Sequence, residues 1–469
     1  MLREPADVTS VVDAWDEDGS LDLHFTLGYR HSWKRAAILR ETQDPLLSPA
    51  GGIARVAVAD FAESTSRLNV RADLGLYKDL GLIVRVPVVL SSSATLQARD
   101  APLSALEGAP GEPLFSLPFG SPNRSGVEYL GIGVDWGILN QWRDAAQPSL
   151  LVGAEVRLSV SEPMHACGPT PGGAGGEPGA RRCAYPSDID RDGQSGEFPV
   201  ELGSGRIEPL EGDFPAAGRR AGVSRGTTAL ELHSLMSRRL EHLEPYMGFS
   251  VLFEFANQDS DFAADRPWNE GPPTRAAFSL GTEILPWEVV ERFQRFSIDV
   301  RATGSYRSAG QDYSELFDAL GSSGASSYRR PNFSAYMANP DAATSGLAPS
   351  VVDPSSTRVF PIGITEVEAH GAYALRVAAR WQAGQYVHFD LGGAVALTQR
   401  HLITIGQPCD GTAPSAATAG PCAVGGSEAP GSAGLPDPSF RPETDQPGRR
   451  FIVDTARTID AWVGATVMF

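Results

Sequence analysis

The stretch SDIDRDGQSGEF sets Asp188, Asp190 and Asp192 at alternate positions and follows them with Gly193. That is how the opening half of an EF-hand-like loop converges carboxylates on Ca2+, with the glycine permitting the sharp turn. Gln194 would supply a backbone carbonyl. The twelfth position is Pro199 rather than a bidentate acid, so Glu197 would have to close the site in a different loop geometry. The competing reading is a solvated acidic turn. Two cysteine pairs lie in Gly/Pro-rich segments, Cys167 with Cys183 and Cys409 with Cys422, and neither has the CxxC spacing of a metal site. Two local disulfides made in an oxidising compartment are expected, with buried thiols as the alternative. Closing a loop of about 15 residues gains up to roughly 3 kcal/mol on the chain-entropy account.

Covalent catalysis finds less support. GVSRG (222–226) fits G-x-S-x-G but opens onto the strand-like TALELH, not onto the helix of a nucleophile elbow. His233 and Ser234 are adjacent on a strand and so face opposite ways. GIGVDWG has fingerprint glycines, yet it alternates as a strand, and glycine is common where barrel strands bend. No nucleophile, base and orienting acid assemble, and the chain is read as not an enzyme.

Composition narrows the class further. With a net charge of -18 and a pI near 4.9, the chain lacks the clustered basic face that binds nucleic acid. No run of about 18 apolar residues provides a membrane helix. The N-terminus, MLREPADVTSVVDAWDEDGS, has no export-signal pattern. Either a mature form with an added start or a protein that is not exported would explain that.

Period-2 alternation marks twelve strands, at about 20–33, 66–78, 80–91, 128–138, 149–160, 226–239, 245–256, 274–285, 292–306, 368–381, 385–399 and 451–469. Short connections (near 79, 139–148, 240–244, 286–291 and 382–384) alternate with long ones at 34–65, 92–127, 161–225, 257–273, 307–367 and 400–450. Sandwiches and propellers give no reason for such sorting. It is the pattern of an outer-membrane barrel with short periplasmic turns and long extracellular loops. The expected fold is therefore all-β: one closed antiparallel transmembrane barrel over 20–469, preceded by a periplasmic segment at 1–19.

One face of each strand is apolar, as in Phe25, Leu27, Tyr29 or Phe278, Leu280, and should meet outer-membrane lipid. The other carries Arg67, Arg71, Asp73, Arg85, Glu155, Arg157, Glu231, His233, Glu254, Glu283, Arg295, Asp299, Arg301, Arg376, Arg380, His388 and Asp390. Arginine's planar fork suits confined carboxylate pairs, and these residues are expected to line a lumen. A half-solvated soluble sheet is the competing account.

The last strand, AWVGATVMF, alternates up to Phe469 and resembles the C-terminal signal read by the outer-membrane assembly machinery, the partner this implies. Three further stretches, LGLYKDLGLIVRVPVVL, EYLGIGVDWGILNQW with PSLLVGAEVRLSVSEP, and TTALELHSLMSRRLEHLEPYMGFSVLF, resemble the transporter-type outer-membrane barrels of the phenol-degradation MetA-pathway family. They cover roughly a third of the chain and imply a Gram-negative outer-membrane location. The large loops, both cysteine pairs and the Asp188 loop lie outside the resemblance.

The expected function is a channel or transporter for small polar or charged solutes through a charge-lined lumen. The alternative is a barrel anchor whose long loops bind a partner, and the third is an outer-membrane lipid hydrolase. For the metal, Asp190→Ala should abolish a calcium-dependent rise in melting temperature. No response of the unaltered protein to chelator would contradict the site.

Overall fold

In the computed structural model twelve long strands form one closed ring. The structure describes residues 9, 11–12, 22–44, 52–141, 143–169, 181–183, 200–202, 206–208, 220–258, 260–262, 271–323, 325–328, 330–331, 358–359, 362–406, 423–424, 435–436 and 440–469. The long strands are β1 (Leu23–Thr42), β2 (Ala54–Tyr77), β3 (Leu80–Ala98), β4 (Leu130–Leu139), β5 (Ser149–Leu158) and β6 (Thr227–Ser237), then β7 (Leu243–Ala256), β8 (Arg275–Val289), β9 (Gln294–Arg307), β10 (His370–Gln382), β11 (Val387–Thr398) and β12 (Ala456–Met468). Each pairs antiparallel with the next. β12 returns to β1 in the register Leu27↔Ala465 and Tyr29↔Val463. Leu23 and Phe469 exchange both backbone hydrogen bonds, so the closing seam is paired to the last residue.

Side chains alternate across the wall. Phe25, Leu27, Tyr29, Trp33, Phe249, Phe278, Leu280, Tyr373, Leu375, Leu391 and Val463 are exposed on the outside. The intervening residues point into the ring, where arginines and carboxylates pair.

The expected loop at 34–65 is largely strand instead, because β1 runs on to Thr42 and β2 starts at Ala54. Crossing a bilayer takes about 9–11 residues of strand. Strands of 20 and 24 residues therefore rise well above it. The lipid-facing alternation stops there, which is why this stretch reads as loop. On β1 the inward face changes from Arg30, Ser32 and Lys34 to Ala36 and Ile38, and on β2 the inward Phe61 and Ala59 lie opposite them. Against these pack Leu96, Leu106, Leu114, Phe115, Phe119, Leu316, Leu320, Tyr328, Ile403 and Phe451, so parts of three long loops form a buried cap. Arg40 fastens it. Its guanidinium donates to the carbonyls of Ala105, Glu107, Glu443 and Arg449 at 2.7–3.1 Å and lies over the Phe451 ring.

Of the segment 1–19, expected to be periplasmic, the described residues Thr9, Val11 and Val12 touch inward-facing positions of the wall. Thr9 Oγ1 is 2.7 Å from Ser237 Oγ, and Val11 and Val12 lie against Gly81. Cys167 and Cys183 are disulfide-bonded. Cys409, Cys422 and the whole Asp188–Glu197 loop lie outside the described residues.

Arg71 and Ala72 are adjacent on β2 and therefore lie on opposite faces of the wall. Ala72→Arg should destabilise the inserted barrel by roughly 2–4 kcal/mol, whereas Arg71→Ala should insert normally. Comparing the folded fractions of the two variants by heat-dependent gel mobility checks this; equal insertion would contradict the facing of β2.

Candidate functional site: the charged interior

Each charged group of the interior is placed by strand parity. Arg71 and Asp73 are two apart on β2, so they share a face, and Arg71 Nε donates to both oxygens of Asp73 at 2.8 and 2.9 Å. On β5 and β6, Glu155 and Glu231 face each other directly. Arg157 bridges these like charges, donating 2.8 Å to Glu155 and also binding Glu231, and Arg85 reaches Glu155 at 3.4 Å. Arg67 Nε meets Glu128 at 3.0 Å, and Arg30 meets Asp460.

A second group lies on β7–β10. Arg295 and Arg380 approach Glu283 at 3.6 and 3.8 Å, and Arg380 and Arg301 approach Asp299 at 3.7 and 3.8 Å. Tyr246 donates to Asp299 and accepts from Arg301 Nε at 2.8 Å. His233 Nε2 lies 2.9 Å from Asp135. Their room comes from Gly153, where any Cβ would collide with both side chains; a Cβ at Gly392 would likewise strike the inward Trp462 ring.

Arg71, Asp73, Arg295, Arg376, Arg380, His388 and Asp390 line one cavity of about 400 Å³ in the half of the barrel that holds the short turns. Arg67, Arg85, Glu155, Arg157, Glu231, Glu254, Glu283, Asp299, Arg301 and His233 are not among its lining residues. Glu254 belongs to a cluster nearer the cap. There Arg225 binds Glu254 and Asp312 at 2.7 and 2.8 Å, Arg275 reaches the same two acids at 3.3 and 3.2 Å, and Arg307 also pairs with Asp312. Sequence reasoning left Arg225, Arg275, Arg307 and Asp312 unassigned. Arg275 and Arg307 continue the parity of Glu283 and Arg301, which is the signal that finds them. Asp312 and Arg225 come from loops, where no periodicity points to them.

The cap meets this interior at a partly buried ion pair. Lys34 Nζ, from β1, is 2.7 Å from Glu315 Oε1, and His401 Nε2 lies 3.9 Å from the same carboxyl. Just beyond, the forked Arg124–Asp318 pair (2.7 and 2.9 Å) ties β3's neighbouring segment to the short helix Phe317–Gly321. In GVSRG the Ser224 hydroxyl meets Ser159 Oγ at 2.6 Å, while His165 pairs with Asp261.

A closed antiparallel wall satisfies every strand's backbone partners, and its outside is a continuous apolar band. The chain is an outer-membrane β-barrel. No family model matches it, and no curated protein does. Among solved structures it is similar to the COG4313 outer membrane channel from Pseudomonas putida F1, at 10% identity and a TM-score of 0.40, over 99% of each chain. It is similar to a Pseudomonas aeruginosa FadL homologue at 9% identity and a TM-score of 0.32, over 95% of this chain and 90% of that one. A TodX monoaromatic hydrocarbon channel mutant matches at 9% identity and a TM-score of 0.33, over 99% and 93%.

Burial alone would raise the Glu315 carboxyl, but Lys34 and His401 hold it well below the usual carboxylate range. A depressed carboxyl adds stability above its unfolded value, and that contribution fades as pH falls through the folded value. The pair's contribution to holding the cap should therefore persist from pH 7 down to about 4 and fade only in stronger acid. Glu315→Gln should loosen the cap already at pH 7. Limited proteolysis across pH reads both, and a variant as protected as the parent at pH 7 would contradict the pair's role.

Proposed function

We propose that this barrel is a channel that passes small polar or charged solutes. The observation that carries the reading is the cavity inside the ring, walled by Arg71, Asp73, Arg295, Arg376, Arg380, His388 and Asp390. Strong paired charges on a confined wall favour polar solutes over hydrocarbon, because an apolar solute passing them would strip water from ions without compensation. Apolar inward residues do occur higher up, at Ile38, Phe61 and Leu96, but they are packed within the cap. Passage therefore requires the cap to move, with Arg40 as the fastening that resists it.

A second reading has its own observation. Segments of three long loops build a shared buried core with Phe115 and Phe451, which would give a binding barrel a fixed base for its outer surface. Conductance separates the two.

In planar bilayers the unaltered protein should give discrete conductance, and Arg40→Met, which orphans four carbonyls, should raise it severalfold. Arg380→Gln should shift the reversal potential toward cation selectivity. No conductance in either the parent or Arg40→Met would contradict the channel and leave loop binding as the function.

A further inference from the structure

Among the arginines that line the cavity, Arg376 is the exception. Arg71 is forked onto Asp73, and Arg295 and Arg380 each have a carboxylate within 4.0 Å. Arg376 makes no ion pair within that distance and no hydrogen bond among the described residues, and its Nε is buried without an acceptor there. Asp299 and Asp390 are the nearest opposing charges, while Arg301 and Arg380 press on it with like charge. Arg301 is its direct cross-strand neighbour. The guanidinium is held in place by the Trp462 ring, 4.2 Å from its central carbon. Trp462 in turn fits only because Gly392 has no side chain.

A half-buried guanidinium carries five donors. Leaving them unspent beside other cations costs free energy unless something absent from the chain supplies acceptors. A planar carboxylate matches the fork of donors that arginine presents.

The rest of the cavity says what should be attached to that carboxylate. Val11, Val12, Ile83 and Met468 also line it. β3, which carries Ile83 and, at Gly81, the contact with Val11 and Val12, lies five strands around a twelve-strand ring from β10, which carries Arg376, so these three apolar residues face the cation nearly from across the lumen, while Met468 on β12 is two strands away. About 400 Å³ falls within the range of small-molecule sites.

We infer that this cavity is a binding site for small organic monocarboxylates, with Arg376 as the carboxylate ligand and the Val11–Val12 side receiving the apolar body. The inference deepens the channel reading, since it names the solute class that pauses in the lumen.

Titration calorimetry on the full chain in detergent tests it, with benzoate as the probe and benzyl alcohol as its uncharged counterpart. The parent should bind benzoate at least tenfold more tightly than benzyl alcohol. Arg376→Gln should weaken benzoate at least tenfold and erase the discrimination, and Arg376→Lys should restore part of it. Asp390→Asn, which removes a nearby negative charge, should tighten benzoate severalfold and does not depend on the arginine variants folding. Heat-dependent gel mobility verifies each barrel. Benzoate bound no better than benzyl alcohol, or equally well by Arg376→Gln, would overturn the site. Calorimetry needs no conduction, so a barrel that conducts without binding benzoate loses this site alone, and one that binds without conducting loses the channel reading alone.

Discussion

The pairing of β12 with β1 is the constraint on which the rest depends. In hydrocarbon an unpaired backbone N–H or C=O costs several kcal/mol, so a sheet can cross only if no edge remains. Closure to Phe469 removes the last edge. Once the ring is closed, parity divides every strand into a residue that meets lipid and a residue that cannot escape the interior. Arginines and acids on the second set pair mainly with one another, with inward hydroxyls and rings such as Tyr246 and Trp462 completing the contacts. The cross-strand clash of Glu155 with Glu231, resolved by Arg157, follows from the register that closure imposes.

Height along the strands adds a second division. Within the membrane the inward face is ionic. Above it, on the extensions of β1 and β2, the same face turns apolar and packs against loop segments. Twelve strands lie between the filled interior of an eight-stranded barrel and the open channel of sixteen to eighteen. The cap couples to the ionic interior at Lys34–Glu315, and to the wall at Arg40. Polar contacts thus decide where the loops sit, and apolar burial holds them there. The Arg124–Asp318 fork does the same for the segment around Phe317, since breaking a buried pair leaves an uncompensated charge.

The barrel was legible because lipid and lumen impose alternation on residues such as Phe278–Leu280 and Arg301–Asp299. The short turns were legible for the same reason. Beyond the bilayer that constraint disappears: residues 34–42 and 54–65 are strands buried on one side by the cap, and their KRAAIL and ARVAVADF runs lack the lipid-facing pattern and so read as loop. Thr9, Val11 and Val12 touch the wall through contacts with Ser237 and Gly81, distant in sequence and invisible to local pattern. In the interior, residue type and parity marked the arginines alike. Only geometry shows that Arg71 is satisfied by Asp73 whereas Arg376 rests on Trp462.

Everything in the interior depends on the charged face of each strand turning inward while the apolar face meets lipid. Thr466, which lines the cavity and hydrogen-bonds Thr26 at 2.9 Å, and Leu391, exposed on the outer band, test it directly. With Thr466→Cys and Leu391→Cys barrels in liposomes, a charged, membrane-impermeant thiol reagent should modify the first and spare the second. Modification of Leu391→Cys with Thr466→Cys protected would contradict the facing of the wall and, with it, the polar lumen.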